Sequence, residues 1–227
     1  NVNDTNAIGW TAIHWAAINS RKDGDVSVRQ RMAMITMLEQ QGALVNVQTV
    51  EKQNVLHMAT AAHGQVYKHF LEANEKAIAA ASAEEGSDKN ELLLNSMVNQ
   101  MDRLHSFSPL VYACANTNVN LENVKMLVAE LHALSKAAAA APANYTVKQQ
   151  QQQQKLMLKQ VLELQMQQAI LVSCSTGNEK VLKVLLKSAS PILQGETLAK
   201  VLAFAKSNVA TDAACLELLN QAESKTT

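Results

Sequence analysis

Proline and glycine are scarce in this sequence, with 3 Pro and 7 Gly in 227 residues. Tight turns depend on both, which argues against a turn-rich β-sandwich or barrel. The three cysteines, Cys114, Cys174 and Cys215, are too few and too scattered for a disulfide framework or a zinc cluster. They point to a reducing, intracellular compartment. Neither sign of charge is in excess: 20 basic residues balance 20 acidic ones, so no global field draws the chain to nucleic acid or to an anionic membrane. No stretch offers the roughly 20 apolar residues of a membrane span, because Asn, Ser, Gln and Thr interrupt the charge-poor runs, and no membrane insertion is expected. The chain starts at Asn1 without a methionine or a signal-peptide pattern, the expectation for a fragment or a processed product.

What remains is helix-forming material. Hydrophobic residues make up 48% of the chain, enough to exclude general disorder. A chain of this length buries roughly 70% of its unfolded surface without help from metals or disulfides. Aromatics are only 4% and Ala, Leu, Gln and Lys are abundant, so the composition predicts an all-α fold.

Internal repeats organise the chain. Gly9-Trp10-Thr11-Ala12-Ile13-His14-Trp15-Ala16-Ala17 is followed by a helical run and then by Gly42-Ala43-Leu44-Val45-Asn46. The pattern returns as Asn54-Val55-Leu56-His57-Met58-Ala59, as Ser108-Pro109-Leu110-Val111-Tyr112-Ala113-Cys114, in worn form around Ala169–Asn178, and faintly around Val201–Ala205. In physical terms, Thr11 is suited to cap a first helix. The paired small residues let neighbouring helices approach closely. A second helix is expected to carry Met34, Ile35, Met37 and Leu38 into the shared core. Each unit alone leaves an apolar face bare, so stacking is obligatory.

This succession resembles the ankyrin repeat. The resemblance implies an irregular ankyrin-repeat solenoid of about four to five units forming a single domain over 1–227, with repeats near 6–46, 49–72, 103–131, 164–188 and 198–221. The motif Leu recurs at Ile13, Leu56, Leu110, Ile170 and about Leu202, at uneven and mostly longer intervals than the regular repeat of about 33 residues. Insertions are therefore expected near 73–102 and 135–163, and the turn around 20–27 is lengthened. The first insertion predicts a helix over 90–101, with Leu93, Leu94, Met97 and Met101 on one stripe. The second holds an Ala run and a poly-Gln run, 149–154. Strong helix formers without a breaker predict one continuous helix over 149–174, with Leu156, Val161, Leu164 and Gln168 near one face. Charge is uneven despite its balance: acidic residues dominate 72–102 and lysines dominate 136–206.

Signs of chemistry are few. His14 and His57 fall at one motif position, where the resemblance implies a hydrogen bond that ties adjacent hairpins. His63, His69, His105 and His132 have neither the mutual spacing nor the nearby carboxylates of a metal site, so no metal is expected. Cys114 and Cys174 occupy the small-residue slot that Ala17 fills in the first unit, and buried thiols there are inert. No glycine-rich phosphate loop, nucleophile elbow or paired carboxylates are present. The expectation is a protein that is not an enzyme and uses no cofactor. The lysine-rich stretch 148–187 has no aromatic residue to stack on bases, which argues against nucleic-acid binding. The methionines, among them Met32, Met34, Met37, Met97, Met101, Met126, Met157 and Met166, follow helical spacing and are expected to fill the core. Trp15 stands where the motif has leucine and is also expected there.

By resemblance, the function is a non-catalytic protein–protein interaction scaffold that binds a partner protein through its concave face as a monomer. The variable positions of the family fall on Ile8, Trp10, Asn19, Glu51, Gln53, His105, Phe107 and Asn116, with Val50 and Leu104 beside them. Irregular spacing and long inserts resemble the ankyrin effectors that intracellular bacteria such as Legionella deliver into the host cell cytoplasm. Two alternatives are a substrate-recruiting segment of a larger enzyme and a eukaryotic signalling or transcription regulator of the inhibitor-of-NF-κB type.

Overall fold

The computed structural model describes residues 1–18, 28–83, 89–116, 119–140, 148–193, 195–208 and 212–224. Every regular element among them is a helix, so the fold is all-α. Contacts divide the chain into two compact units, Asn1–Pro109 and Leu110–Thr227.

The first unit holds α1 (Ala12–Ala17), α2 (Val28–Gln40), α3 (Val55–Met58), α4 (Gly64–Ser82) and α5 (Lys89–Leu94), and a 3-10 turn, Ala59–Ala61, prolongs α3. Caps set where these helices begin. The Asn54 side-chain oxygen accepts the N–H groups of Leu56 (3.0 Å) and His57 (3.3 Å) at the start of α3. His63 accepts that of Gln65 at 3.2 Å to start α4. Helix α1 packs on α2 and on α3, while α4 packs on α2, α3 and α5, so two helix pairs lie side by side. Ala16, Ala17, Ala59 and Ala62 are buried between them, where larger side chains would hold the backbones apart. Ile13, Ile35, Leu56, Val66, Tyr67 and Phe70 form the core, with each aliphatic or phenylalanine burial contributing about 1.5–3 kcal/mol.

The second unit starts at Leu110, one residue into α6 (Pro109–Ala115), and continues through α7 (Leu121–Ala140), α8 (Lys148–Ser175), α9 (Glu179–Ala189), α10 (Glu196–Asn208) and α11 (Ala213–Glu223). Helix α8 touches α7, α9 and α10, and α11 closes against α9 and α10. Asn178 caps α9 through Val181 N–H (3.2 Å), and Asp212 caps α11 through Ala214 (3.0 Å) and Cys215 (3.2 Å). The His132 ring bonds the Ser188 carbonyl at 2.8 Å, fastening α7 to α9.

Four expectations about packing need correction. Helix α5 stops at Leu94, and turns replace the predicted helix over 95–101. There the Asn74 carbonyl oxygen accepts Met97 N–H (3.0 Å), and the Asn99 amide donates to the Leu93 carbonyl (2.7 Å), giving the backbone partners outside a helix. Helix α8 does run unbroken through the glutamine tract, but it buries Leu158, Leu162, Met166, Ala169 and Ile170, whereas Leu156 and Leu164 are exposed. Met34 and Met37 are exposed because α2 turns only Ile35 fully inward, and Met157 is exposed because α8 buries the face of Leu158 and Leu162 instead. Trp15 is 58% exposed rather than in the core; its ring meets Trp10 edge-on at 4.6 Å.

Candidate partner-binding surface

Three hairpins in the first unit share one construction. Their first and last residues are Asn6 and Trp10, Thr49 and Gln53, and Asp102 and Phe107. In each, the first N–H donates to the last carbonyl, at 3.0, 2.9 and 2.9 Å respectively. A side-chain oxygen on the first residue then accepts the returning N–H: Asn6 from Trp10 (2.9 Å), Thr49 from Gln53 (3.2 Å), Asp102 from Phe107 (2.9 Å). The residue before the last has positive φ in every case, at Gly9 (78°), Lys52 (58°) and Ser106 (55°). Gly9 is further constrained, since a Cβ there would lie 2.7 Å from Val50 N.

The hairpins are laid edge to edge by a bond that also repeats. Val50 N–H donates to the Ile8 carbonyl at 3.2 Å, and Arg103 N–H to the Glu51 carbonyl at 2.7 Å. Two buried histidines reinforce the row from below. His14 Nδ1 accepts Thr11 N–H (3.1 Å) and its Nε2 bonds the Val47 carbonyl (3.1 Å). His57 Nδ1 accepts Asn54 N–H (3.2 Å) and its Nε2 bonds the Phe107 carbonyl (3.0 Å). These partners require the neutral ring with its proton on Nε2. Burial lowers both pKa values, that of His57 to about 4, against the opposing pull of the Phe107 carbonyl and Asp102. Burial alone would raise the Asp102 carboxyl, but the N–H groups of Phe107 and His105 outweigh it and hold the pKa below the usual value.

Ile8 is 52% exposed, and His105 is exposed as well. Trp10, Glu51, Gln53 and Phe107 are half-buried, because they close hairpins or carry the bonds between them. The His105 and Phe107 rings stand 5.3 Å apart. Asn116 is half-buried at the end of α6, in the second unit. Asn19 lies outside the described residues. The most exposed apolar side chains of the row are Ile8, Val50 (53%) and Leu104 (63%), one on each hairpin. Leu44, 54% exposed, was not singled out by the motif, since it occupies an ordinary apolar position in the turn after α2.

The three cysteines are buried. Burial pushes the Cys114 and Cys174 thiols up to about 12 and raises that of Cys215 too. All three therefore stay protonated near neutral pH. A cleft of about 420 Å³ between α4 and the turns after α5 is lined by small apolar and amide side chains, with no titratable group. Among the described residues no three His, Cys, Asp or Glu side chains gather as metal ligands, and no helix is long and apolar enough to cross a membrane. No protein-family model matches the chain, and no curated protein matches it.

Proposed function

We propose that this chain is an irregular ankyrin-type array that acts as a non-catalytic scaffold, binding a partner protein along its row of hairpins. The observation that carries the reading is the threefold return of one hairpin with the same bond to its neighbour. Buried histidines and repeated backbone bonds hold the row rigid, so little conformational entropy is lost when a partner docks. Ile8, Val50 and Leu104 then offer apolar contact at successive tips, where a few anchors supply most of the binding energy. The histidines are neutral and engaged with backbone, and the thiols are protonated, which supports a role without catalysis. Three unpaired cysteines fit a reducing compartment.

The test is the triple variant Ile8→Ser/Val50→Ser/Leu104→Ser, compared with Leu156→Ser/Phe204→Ser, which alters exposed residues of the second unit. Each exposed substitution should change stability by about 0.5 kcal/mol or less. Quantitative capture from cell lysate should show partners lost at least tenfold by the hairpin variant and retained by the control. Equal capture by both variants would refute the assignment.

A further inference from the structure

A groove of about 450 Å³ runs between α9, α10 and α11 in the second unit, within the range of about 300–1,000 Å³ common for ligand-holding clefts. Leu186, Leu198, Leu218 and Ala222 make its apolar lining, and Lys183 and Lys187 stand on its rim. We propose that this groove is a second docking site, which takes an acidic amphipathic helix from a partner protein.

The charge pattern leads to this occupant. Lys183 and Lys187 are four residues apart on α9, so their side chains rise from the same face about 6 Å apart. Both are exposed, and among the described residues neither ammonium has a carboxylate within salt-bridge distance. On the adjoining α10, Lys200 pairs with Glu196 at 2.7 Å and Lys206 pairs with Glu223, whereas Lys180, also on α9, makes no ion pair among the described residues but does not line the groove. Of the carboxylates on α11, Glu223 is thus engaged, and Glu217 accepts the Gln221 amide at 3.2 Å. Among the described residues, no carboxylate of α10 or α11 pairs with either rim lysine, and Glu179, four residues before Lys183 on α9, makes no ion pair with it either.

Beneath them the apolar lining is only partly covered, since Leu186, Leu218 and Ala222 are half-buried. α9 turns Val181, Leu182, Leu185 and Ala189 into the unit's own core, leaving Leu186 on the groove side. A complementary ligand therefore needs apolar side chains for the lining and two carboxylates spaced by a helical turn. An amphipathic helix with leucines on one stripe and Asp or Glu at i and i+4 beside it meets both demands. A fatty acid brings a single carboxylate and leaves one ammonium unanswered. The apolar wall also lowers the local dielectric, so each ion pair is stronger than on an open surface.

The probe is a displayed library of random sixteen-residue peptides, selected against the full chain and followed by anisotropy titration of the enriched sequences. Enriched peptides should combine large apolar residues with acidic ones at helical spacing. Their binding should fall at least tenfold with Lys183→Glu/Lys187→Glu and with Leu218→Arg, and should weaken as salt rises. Lys183→Gln/Lys187→Gln provides the same test if charge reversal harms folding, which circular dichroism reports. Amide shifts on titration should centre on Leu186, Leu198 and Leu218. The Ile8→Ser/Val50→Ser/Leu104→Ser variant should bind these peptides unchanged, which separates this site from the hairpin row. The proposal is overturned by any of four results: no enriched sequence, enrichment without acidic residues, binding within twofold after both charge changes, or oleate displacing every selected peptide.

Discussion

Lowering the pH should destabilise the first unit in a window set by His57. Its imidazole is fully buried, and burial brings its pKa from 6.5 to about 4. The folded state thus prefers the neutral ring, while the unfolded chain takes up a proton below about pH 6.5. The stabilising contribution is complete above pH 6.5 and is lost as the pH falls towards 4, at up to about 1.4 kcal/mol per pH unit. Between pH 6.5 and 4.5 the loss amounts to about 2 kcal/mol, a large share of a domain stability of about 5–15 kcal/mol. His14 is shifted in the same direction and adds to the same window. Asp102 acts lower down: its folded pKa is depressed, so its contribution is present above the ordinary carboxyl value and disappears as the pH falls through the folded one. Urea unfolding followed by circular dichroism between pH 7.5 and 4.5 measures the slope. His57→Gln removes the titrating group, so the variant, though less stable at pH 7, should lose about 2 kcal/mol less than the parent across this window. Equal slopes in parent and variant, or an imidazole resonance of His57 titrating near pH 6.5, would refute the reasoning.

Two further outcomes are expected. Cys114→Ala and Cys174→Ala should fold, and a thiol reagent should label both native cysteines slowly at pH 7.5, since burial holds their pKa near 12; rapid labelling in the folded protein contradicts this. Leu158→Pro, inside α8 at a fully buried position, should cost at least about 3 kcal/mol through the lost backbone bond and ring clash. Circular dichroism should show reduced helicity and limited proteolysis a new cut nearby, whereas an unchanged spectrum would mean the helix is not continuous in solution.

Much of this architecture can be read in short stretches of the chain, because local groups satisfy local needs. Asn54 lies next to the N–H groups it caps, so the start of α3 is visible in the sequence. The hydrogen bonds of His14 and His57 are implied only by the repeat resemblance, since their acceptors, Val47 and Phe107, lie 33 and 50 residues further on. The unbroken run of helix formers foretells α8 across its glutamines. Periodicity is a weaker guide to which stripe is buried. Leu156 and Leu164 compete with Leu158 and Leu162 on α8, and both sets satisfy a helical repeat. The same ambiguity hid the exposed Met34 and Met37 on α2, and the motif placed Trp15 inward where the fold leaves it outside, against Trp10.

Helical character and capping residues such as Asn54 follow from interactions spanning a few residues, which is why the amino-acid order points to them. Which face of each helix is covered depends on a neighbour brought in from far along the chain. The exposure of Ile8, Val50 and Leu104, the depth at which His57 is desolvated, and the groove under Lys183 and Lys187 are all of this second kind. Burial is a property of two surfaces meeting, and a single helix carries only one of them.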